Sequence, residues 1–473
     1  MFDNRDHIDF ANTDIPKLFR SMFIPTLLGM MFNAAFVLTD GIFVGHGVGA
    51  EGLACINLIA PIMMVVTGCG MMFGIGSSVV AAIHLAQQNG KAARINVTQA
   101  FLACCILALI MGTLFYLSPL RIQQLLGVTE SLIPLASEYY LWFIPTCLFL
   151  MFQLVGEFII RLDGAPRYAM YANIIPAVVN IVLDYIFIIP CHLGLKGAAL
   201  ATDIGTFIGA LMVVYYMAFK ATHLQLYRIK HTWTSLRLSW RNIRHMSRMG
   251  FSALLGEAAI SIMMLTGNHA FGHYLGNDGI AAFSIICYLF PIVYMIFSAV
   301  VQSAQPIISY NHGGGQSQRV GHTLRHSLAV NLAIGAVATL LFTLFPRMVI
   351  AIFITPESST FPLAAKGLPV YTIGMLFIAF NLSVIGYMQS IEKAALASWL
   401  MALRGILLPV AAFTLLPLWM GDWGLWLAIP VAEIIAASVM AIPLLKRVRQ
   451  QAPVSPTTAS SDAVTAASDG DPS

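Results

Sequence analysis

Long apolar stretches separated by short polar ones run along the chain from residue 15 to residue 445. A helix needs about 20 predominantly apolar residues to cross a hydrocarbon layer about 30 Å thick, and twelve stretches meet that length. In the first half they cover 15–44, 53–82, 97–117, 132–159, 168–189 and 197–219; in the second, 246–271, 280–308, 327–353, 368–390, 396–418 and 423–445. None alternates in the manner of a barrel strand. The pattern predicts an all-α polytopic membrane protein with twelve transmembrane helices.

The pattern also repeats. Residues 27–54 (LLGMMFNAAFVLTDGIFVGHGVGAEGLA) return 227 positions later as 254–281 (LLGEAAISIMMLTGNHAFGHYLGNDGIA), with ten of 28 pairs identical, including Gly45/Gly272, His46/His273, Gly49/Gly276 and Gly52/Gly279. Hydrophobicity alone does not set glycine and histidine spacing, so the match marks a duplicated module. Six crossings per module give both copies the same orientation, related by a pseudo-twofold axis along the membrane normal with a cleft between them. The expected divisions are a cytoplasmic N-terminal segment (1–14), an N-terminal six-helix lobe (15–219), a basic linker (220–246), a C-terminal six-helix lobe (247–447) and a disordered tail (448–473).

Composition sharpens this reading. Of 473 residues, 58% are hydrophobic and only 10% charged, and the mean hydropathy is +0.81, which excludes a soluble globular domain. Between Lys220 and Arg248 stand seven basic residues and no acid, so the positive-inside rule puts the linker, and with it both termini, on the cytoplasmic face of a bacterial-type inner (plasma) membrane. On that topology only Arg121, Lys196, Arg347 and Lys366 fall outside, and Arg404 lies within a helix. Anionic membrane lipid is the expected partner of the basic linker, and nucleic acid is not. Residues 1–14 lack a cleavable signal, so the first helix is expected to direct insertion. Seven cysteines without a Cys-x-x-Cys pair read as packing residues. A monomer is the expected functional unit.

Candidate chemistry lies in the few acids inside the apolar runs, where a carboxylate needs a partner, a proton or water. Asp40 pairs with Gly267 across the repeat, so only one copy of the module carries it. Asp184 and Asn180 are four residues apart, hence on one helical face, and they share the outer half of the first lobe with Asp40 and Thr202. Two carboxylates in such a place either share a proton or bind a monovalent cation with amide and hydroxyl oxygens. Pro25 and Gly29 put kink residues in the same helix as Asp40. Glu257, Glu433 and Asn381 form a possible second ion or substrate site in the other lobe, with structural hydrogen bonding the alternative for Glu433. Tyr139, Tyr140, Gln153 and Glu157 are candidates for a substrate-cavity wall, although Glu157 is also placed to pair with Arg161 at i+4. His46 and His273 lack companions at metal-ligand spacing, no phosphate-binding Gly-rich loop is present, and no catalytic cluster or cofactor motif suggests an enzyme.

Three segments carry a family resemblance: TDGIFVGHGVG in the first helix, EFIIRLDGAPRYAM leading into NIVLDYIFII, and LGLKGAALATDIG. Over residues 15–447 the chain resembles the multidrug and toxic compound extrusion (MATE) family, in its aspartate-rich N-lobe form. The resemblance implies a secondary antiporter that exports small amphipathic, often cationic compounds against H+ or Na+ by alternating access, without a cofactor. It implies ion-coupling roles for Asp40, Asn180, Asp184 and Thr202. Sodium-coupled relatives imply a cation site at Glu257 joined by an acid in the tenth helix, where this chain has Asn381. The alternative is a lipid or lipid-linked-sugar flippase on the same scaffold, which calls for cavity cations where only Arg404 is a candidate.

Overall fold

The computed structural model describes residues 8–126, 128, 130–229 and 232–451, with side chains of residues 50, 53 and 445–451 set aside. Within the N-terminal lobe lie α1 (Ile15–Gly47), α2 (Ala50–Ala86), α3 (Gly90–Leu117), the short α4 (Pro119–Leu125), α5 (Ile133–Leu162), α6 (Pro166–Ile188) and α7 (Gly194–Tyr215), the last closed by a π-turn at Tyr216–Lys220. The second lobe holds α8 (Trp233–Gly313), α9 (Ser317–Leu344), α10 (Pro346–Ala351), α11 (Thr360–Ser390), α12 (Ala394–Ala402) and α13 (Leu408–Met420), joined by a π-turn at Leu403–Leu407, and α14 (Asp422–Gln451). Among the described residues, eleven helices are long and apolar enough to span. One of them, α8, has 81 residues and breaks at Gly276 into two arms, 233–275 and 277–313, which makes twelve spans.

That break explains a repeated glycine. Gly276 has φ +63° and its counterpart Gly49, 227 residues earlier, has φ +100°; a Cβ at either would meet nothing within 4 Å. Backbone conformation rather than space therefore reserves both turns for glycine.

Several boundaries differ from the hydropathy reading because helices continue past the apolar layer. α3 begins at Gly90 rather than 97, capped by the Asn89 side chain, which accepts from Ala92 N at 3.2 Å. The helix expected at 327–353 instead spans Ser317–Leu344, because its polar first turns remain helical and Pro346 opens the separate α10. The latter half of the basic linker is helical too, with Thr232 Oγ1 accepting from Ser235 N at 3.3 Å. At the C-terminus α14 continues to Gln451, and the rest of the expected tail, 452–473, lies outside the described residues, as does 1–7 of the N-terminal segment.

The first spanning helix of each lobe crosses to its neighbour at the end where the linker lies. Phe19 and Met22 of α1 join the core of the second lobe, while Met246 and Met249 of α8, both offset by 227, join the core of the first. Gly76 and Gly250 allow α2 and the first arm of α8 to meet backbone to backbone, since a Cβ on Gly76 would fall 2.8 Å from the Met246 carbonyl carbon. Arg161 Nη1 donates to Gln302 Oε1 at 2.9 Å, and Asn311 and Arg319 donate to the Phe10 carbonyl, each at 3.1 Å. Inter-lobe hydrogen bonds among the described residues run from this end to the mid-depth contact of Ser261 with Met64. The lobes are thus joined in the linker-end half.

Candidate functional site

Asp40, Asn180, Asp184 and Thr202 come from three helices that meet toward the opposite end of the first lobe. α1 packs along α6: a Cβ on Gly29 would sit 3.4 Å from Asn173 Cβ, an ordinary contact, and α1 continues unbroken through Pro25 and Gly29. α6 and α7 approach closely at Gly205, where a Cβ would lie 3.1 Å from both Asn180 Cβ and the Pro176 carbonyl. That approach lets Asn180 Nδ2 donate to Thr202 Oγ1 at 3.3 Å, while the Thr202 hydroxyl donates to the Ala198 carbonyl at 3.0 Å.

Asp40 and Asp184 stand close enough that the charge of one acts on the other. Asp184 is fully buried at 0% exposure, and among the described residues neither of its carboxylate oxygens has a hydrogen-bond donor. The same holds for Asp40 Oδ1 and Asn180 Oδ1. Four acceptor oxygens without donors in one buried place are rare, because each forfeits hydration with no return. The set is chemically suited to a proton held between carboxylates, or to a monovalent cation that prefers oxygen ligands. No group of three His, Cys, Asp or Glu among the described residues is arranged to hold a metal ion.

Two further residues belong here. Tyr139 of α5 is buried within the field of Asp40, Asp184 and Asp203. Asp203, next to Thr202 in sequence, turns toward α5, where the Thr146 hydroxyl donates to its Oδ1. Asp203 points about 100° from Thr202 on an α-helix, so its partner comes from the neighbouring helix rather than from the Thr202 side.

The other proposed wall residues lie elsewhere. Tyr140 donates to the Phe115 carbonyl at 3.1 Å, away from the carboxylates. Gln153 donates to the Ala172 carbonyl at 3.0 Å and to Glu157 at 3.4 Å, and Glu157 pairs with Arg161 at 3.3 Å. With the Arg161–Gln302 bond these side chains make a buried polar chain leading to the second lobe.

In the second lobe the three candidate residues do not form one cluster. Arg404, carried on the π-turn of α12–α13, grips Glu433 with Nη2 to Oε1 at 2.9 Å and Nε to Oε2 at 2.9 Å. Asn381 Nδ2 adds a 2.7 Å bond to Glu433 Oε2. This triad ties α11, α13 and α14 together as a neutral ion pair, the structural alternative for Glu433. Glu257 stands apart at the lobe boundary, its Cβ 3.4 Å from a Cβ placed on Gly68, and Tyr294 lies in the field of both it and Arg404. A lone arginine in an apolar helix was the available signal for the pair, since a buried guanidinium demands an acid.

Comparisons with known proteins agree with this architecture. The MatE family model matches twice, over residues 25–186 and 253–413, one match per lobe. Among curated proteins, the FAD transporter of Shewanella oneidensis is 24% identical over 358 residues, 74% of this chain and 77% of that protein. The multidrug export protein MepA of Staphylococcus saprophyticus is 23% identical over 442 residues, 93% of this chain and 96% of that one. A solved structure described as the outward-facing conformation of a multidrug resistance MATE transporter superposes with a TM-score of 0.86 at 20% identity, covering 93% of this chain and 97% of the other.

Proposed function

Since the chain belongs to the MatE family, whose members are membrane transporters rather than enzymes, we propose that it exports amphipathic, cationic compounds in exchange for H+ or Na+. The observation that carries this reading is the donor-free set of Asp40, Asn180 and Asp184 oxygens inside the first lobe. Charged, these carboxylates attract a cation and repel each other. Neutralised by a proton or Na+, they lose both effects, and α1, held to α6 by neutral contacts, is free to repack and narrow the space beside it.

The inner membrane, with the linker end cytoplasmic, completes the cycle. Joining of the lobes in the linker-end half supports a reading in which the space beside the carboxylates opens outward, where the driving ion enters and the compound leaves. The ion supplies about 2.3 kcal/mol per charge per 100 mV, with about 1.4 kcal/mol more per pH unit for a proton. Linkage requires the compound to weaken ion binding as much as the ion weakens compound binding. An anionic cargo such as the one named for the Shewanella relative fits less well. Among the described residues Asp40 and Asp184 have no cationic partner, whereas Arg161 and Arg404 are each neutralised by a glutamate.

The test is efflux of a fluorescent organic cation, and of FAD, from proteoliposomes given a pH or a Na+ gradient separately. Gradient-driven cation export lost in Asp40→Asn and Asp184→Asn is expected. Export that survives both substitutions, or FAD export alone, rejects the proposal.

A further inference from the structure

The helix that opens α8 is amphipathic in an inverted sense. At 100° per residue, Ser235, Ser239, Asn242 and Met246 share one face, and Trp233, Leu236, Arg237, Trp240, Arg244, Ser247 and Phe251 share the other. The polar face is the one packed on protein: Gln99 Nε2 donates to Ser239 Oγ at 2.7 Å, Asn242 Nδ2 donates to Gln99 Oε1, and Asn96, itself bonded to Ser77, reaches Asn242 at 3.5 Å. The outward face leaves Trp233 84%, Trp240 71% and Leu236 55% exposed. Arg237, Arg241, Arg244 and Arg248 are exposed beside them and make no ion pair among the described residues.

The depth of this stripe follows from its partners. Asn96 immediately precedes the apolar run of α3 that starts at Val97, so the Asn96–Asn242 contact marks the edge of the hydrocarbon layer. Trp240 and Arg244 then lie at headgroup level, and Phe251, two turns further along the same stripe, lies among acyl chains. A groove of about 310 Å³ opens there between α8 and α12, lined by Ser247, Arg248, Phe251, Ala395 and Ser398. Glu392, an acid at this end, is engaged by His245 at 3.8 Å, with His84 and His312 in its field.

We propose that this groove and stripe bind an anionic phospholipid, its headgroup phosphate held by Arg244 and Arg248 with the Ser247 and Ser398 hydroxyls, and one acyl chain laid against Phe251 and Ala395. Tryptophan at the membrane interface and unpaired arginine at headgroup depth are the side chains that such a lipid satisfies. A zwitterionic lipid offers the same chains but places an ammonium against the arginines. Because residues 233–275 form one uninterrupted helical arm, the bound lipid would rest on the first spanning helix of the second lobe.

The experiment uses the full chain in nanodiscs of phosphatidylcholine containing one fifth phosphatidylglycerol, with dibrominated chains on one lipid at a time. The Trp240 contribution to emission is isolated as the difference between wild type and Trp240→Phe. Brominated phosphatidylglycerol should quench it several-fold more than an equal amount of brominated phosphatidylcholine. R244Q/R248Q should abolish the preference, R244K/R248K should keep it, and Ser398→Trp, which fills the groove while sparing both arginines, should weaken it. Equal quenching by the two lipids in wild type overturns the proposal, as does a preference that survives both R244Q/R248Q and Ser398→Trp.

Discussion

Gly76→Ala tests whether the linker-end seam controls which side the carrier opens to. A Cβ there would lie 2.8 Å from the Met246 carbonyl carbon and 3.1 Å from Gly250 N, against 3.4 Å where such contacts become ordinary, so the two backbones must part by at least 0.6 Å. Both partners are main-chain atoms, which no rotamer change can move aside. Overpacking of this kind costs about 1–3 kcal/mol. The contact exists only while the lobes meet, so the cost falls on the seam-closed state alone and shifts its population by about 5- to 150-fold. Spin labels at Asn89 and Gln318, one per lobe at this end, should show a longer distance by double electron–electron resonance, with slower efflux. Gly74→Ala is the control, because a Cβ there meets Leu154 and Val155 backbone inside the first lobe, at 3.2 and 3.3 Å. It should lower stability without moving the labels. An unchanged distance distribution in Gly76→Ala, with the protein folded and efflux intact, refutes the reasoning.

Other substitutions probe what holds each lobe. Glu433→Gln leaves Arg404 buried and unmatched, and should cost about 3–5 kcal/mol, read as a large drop in thermal stability in detergent; R404M/E433L, which removes both charges, should recover most of it. Asp163 accepts from Tyr216 Oη at 2.8 Å and from the backbone N–H of Thr222, His223 and Leu224 at 2.9, 2.8 and 3.0 Å. Bonds to a charged acceptor are worth about 1.5–3 kcal/mol each, so Asp163→Ala should speed amide hydrogen exchange at residues 222–224 at least tenfold. The His245 imidazole 3.8 Å away, with His312 and His84 nearby, holds the Glu392 carboxyl below the usual carboxylate range. A depressed carboxylate pKa contributes stability above the ordinary value and loses it as pH falls through the folded value. His245→Gln should therefore lower stability at neutral pH and flatten its fall on acidification, as followed by melting temperature between pH 3 and 7.

Hydropathy and the 227-residue repeat were enough to place twelve spans in two lobes, because both are set by local sequence. The Gly49/Gly276 turns were visible as repeated glycines before their positive φ gave the reason. Asp40 stood out because its copy lacks it, and Asn180 and Asp184 because four residues separate them on a helix. What was illegible depended on neighbouring helices. The grip of Arg404 on Glu433 spans 29 residues, and that of Thr146 on Asp203 spans 57. Helix ends such as Ser317 escaped for a different reason, since outside the hydrocarbon a helix need not be apolar to persist.

The two lobes share a backbone plan and differ in how their buried charges are answered. By the 227 offset, Glu433 falls on Thr206 and Arg404 on Ala177, so the first lobe has no ion pair where the second has one. Arg404 and Glu433 cancel each other, so neither proton nor cation is needed to keep α11, α13 and α14 together, while Glu257 of the same lobe stands apart from that pair. In the first lobe Asp184 and Asp40 have no cationic partner among the described residues, within a frame of neutral contacts between α1, α6 and α7. In the proposed cycle the change of charge therefore acts at Asp40 and Asp184 rather than at the Arg404–Glu433 pair. In that proposal α1, whose linker-end turns are embedded in the other lobe's core, is the element through which a change at the carboxylates would reach the seam.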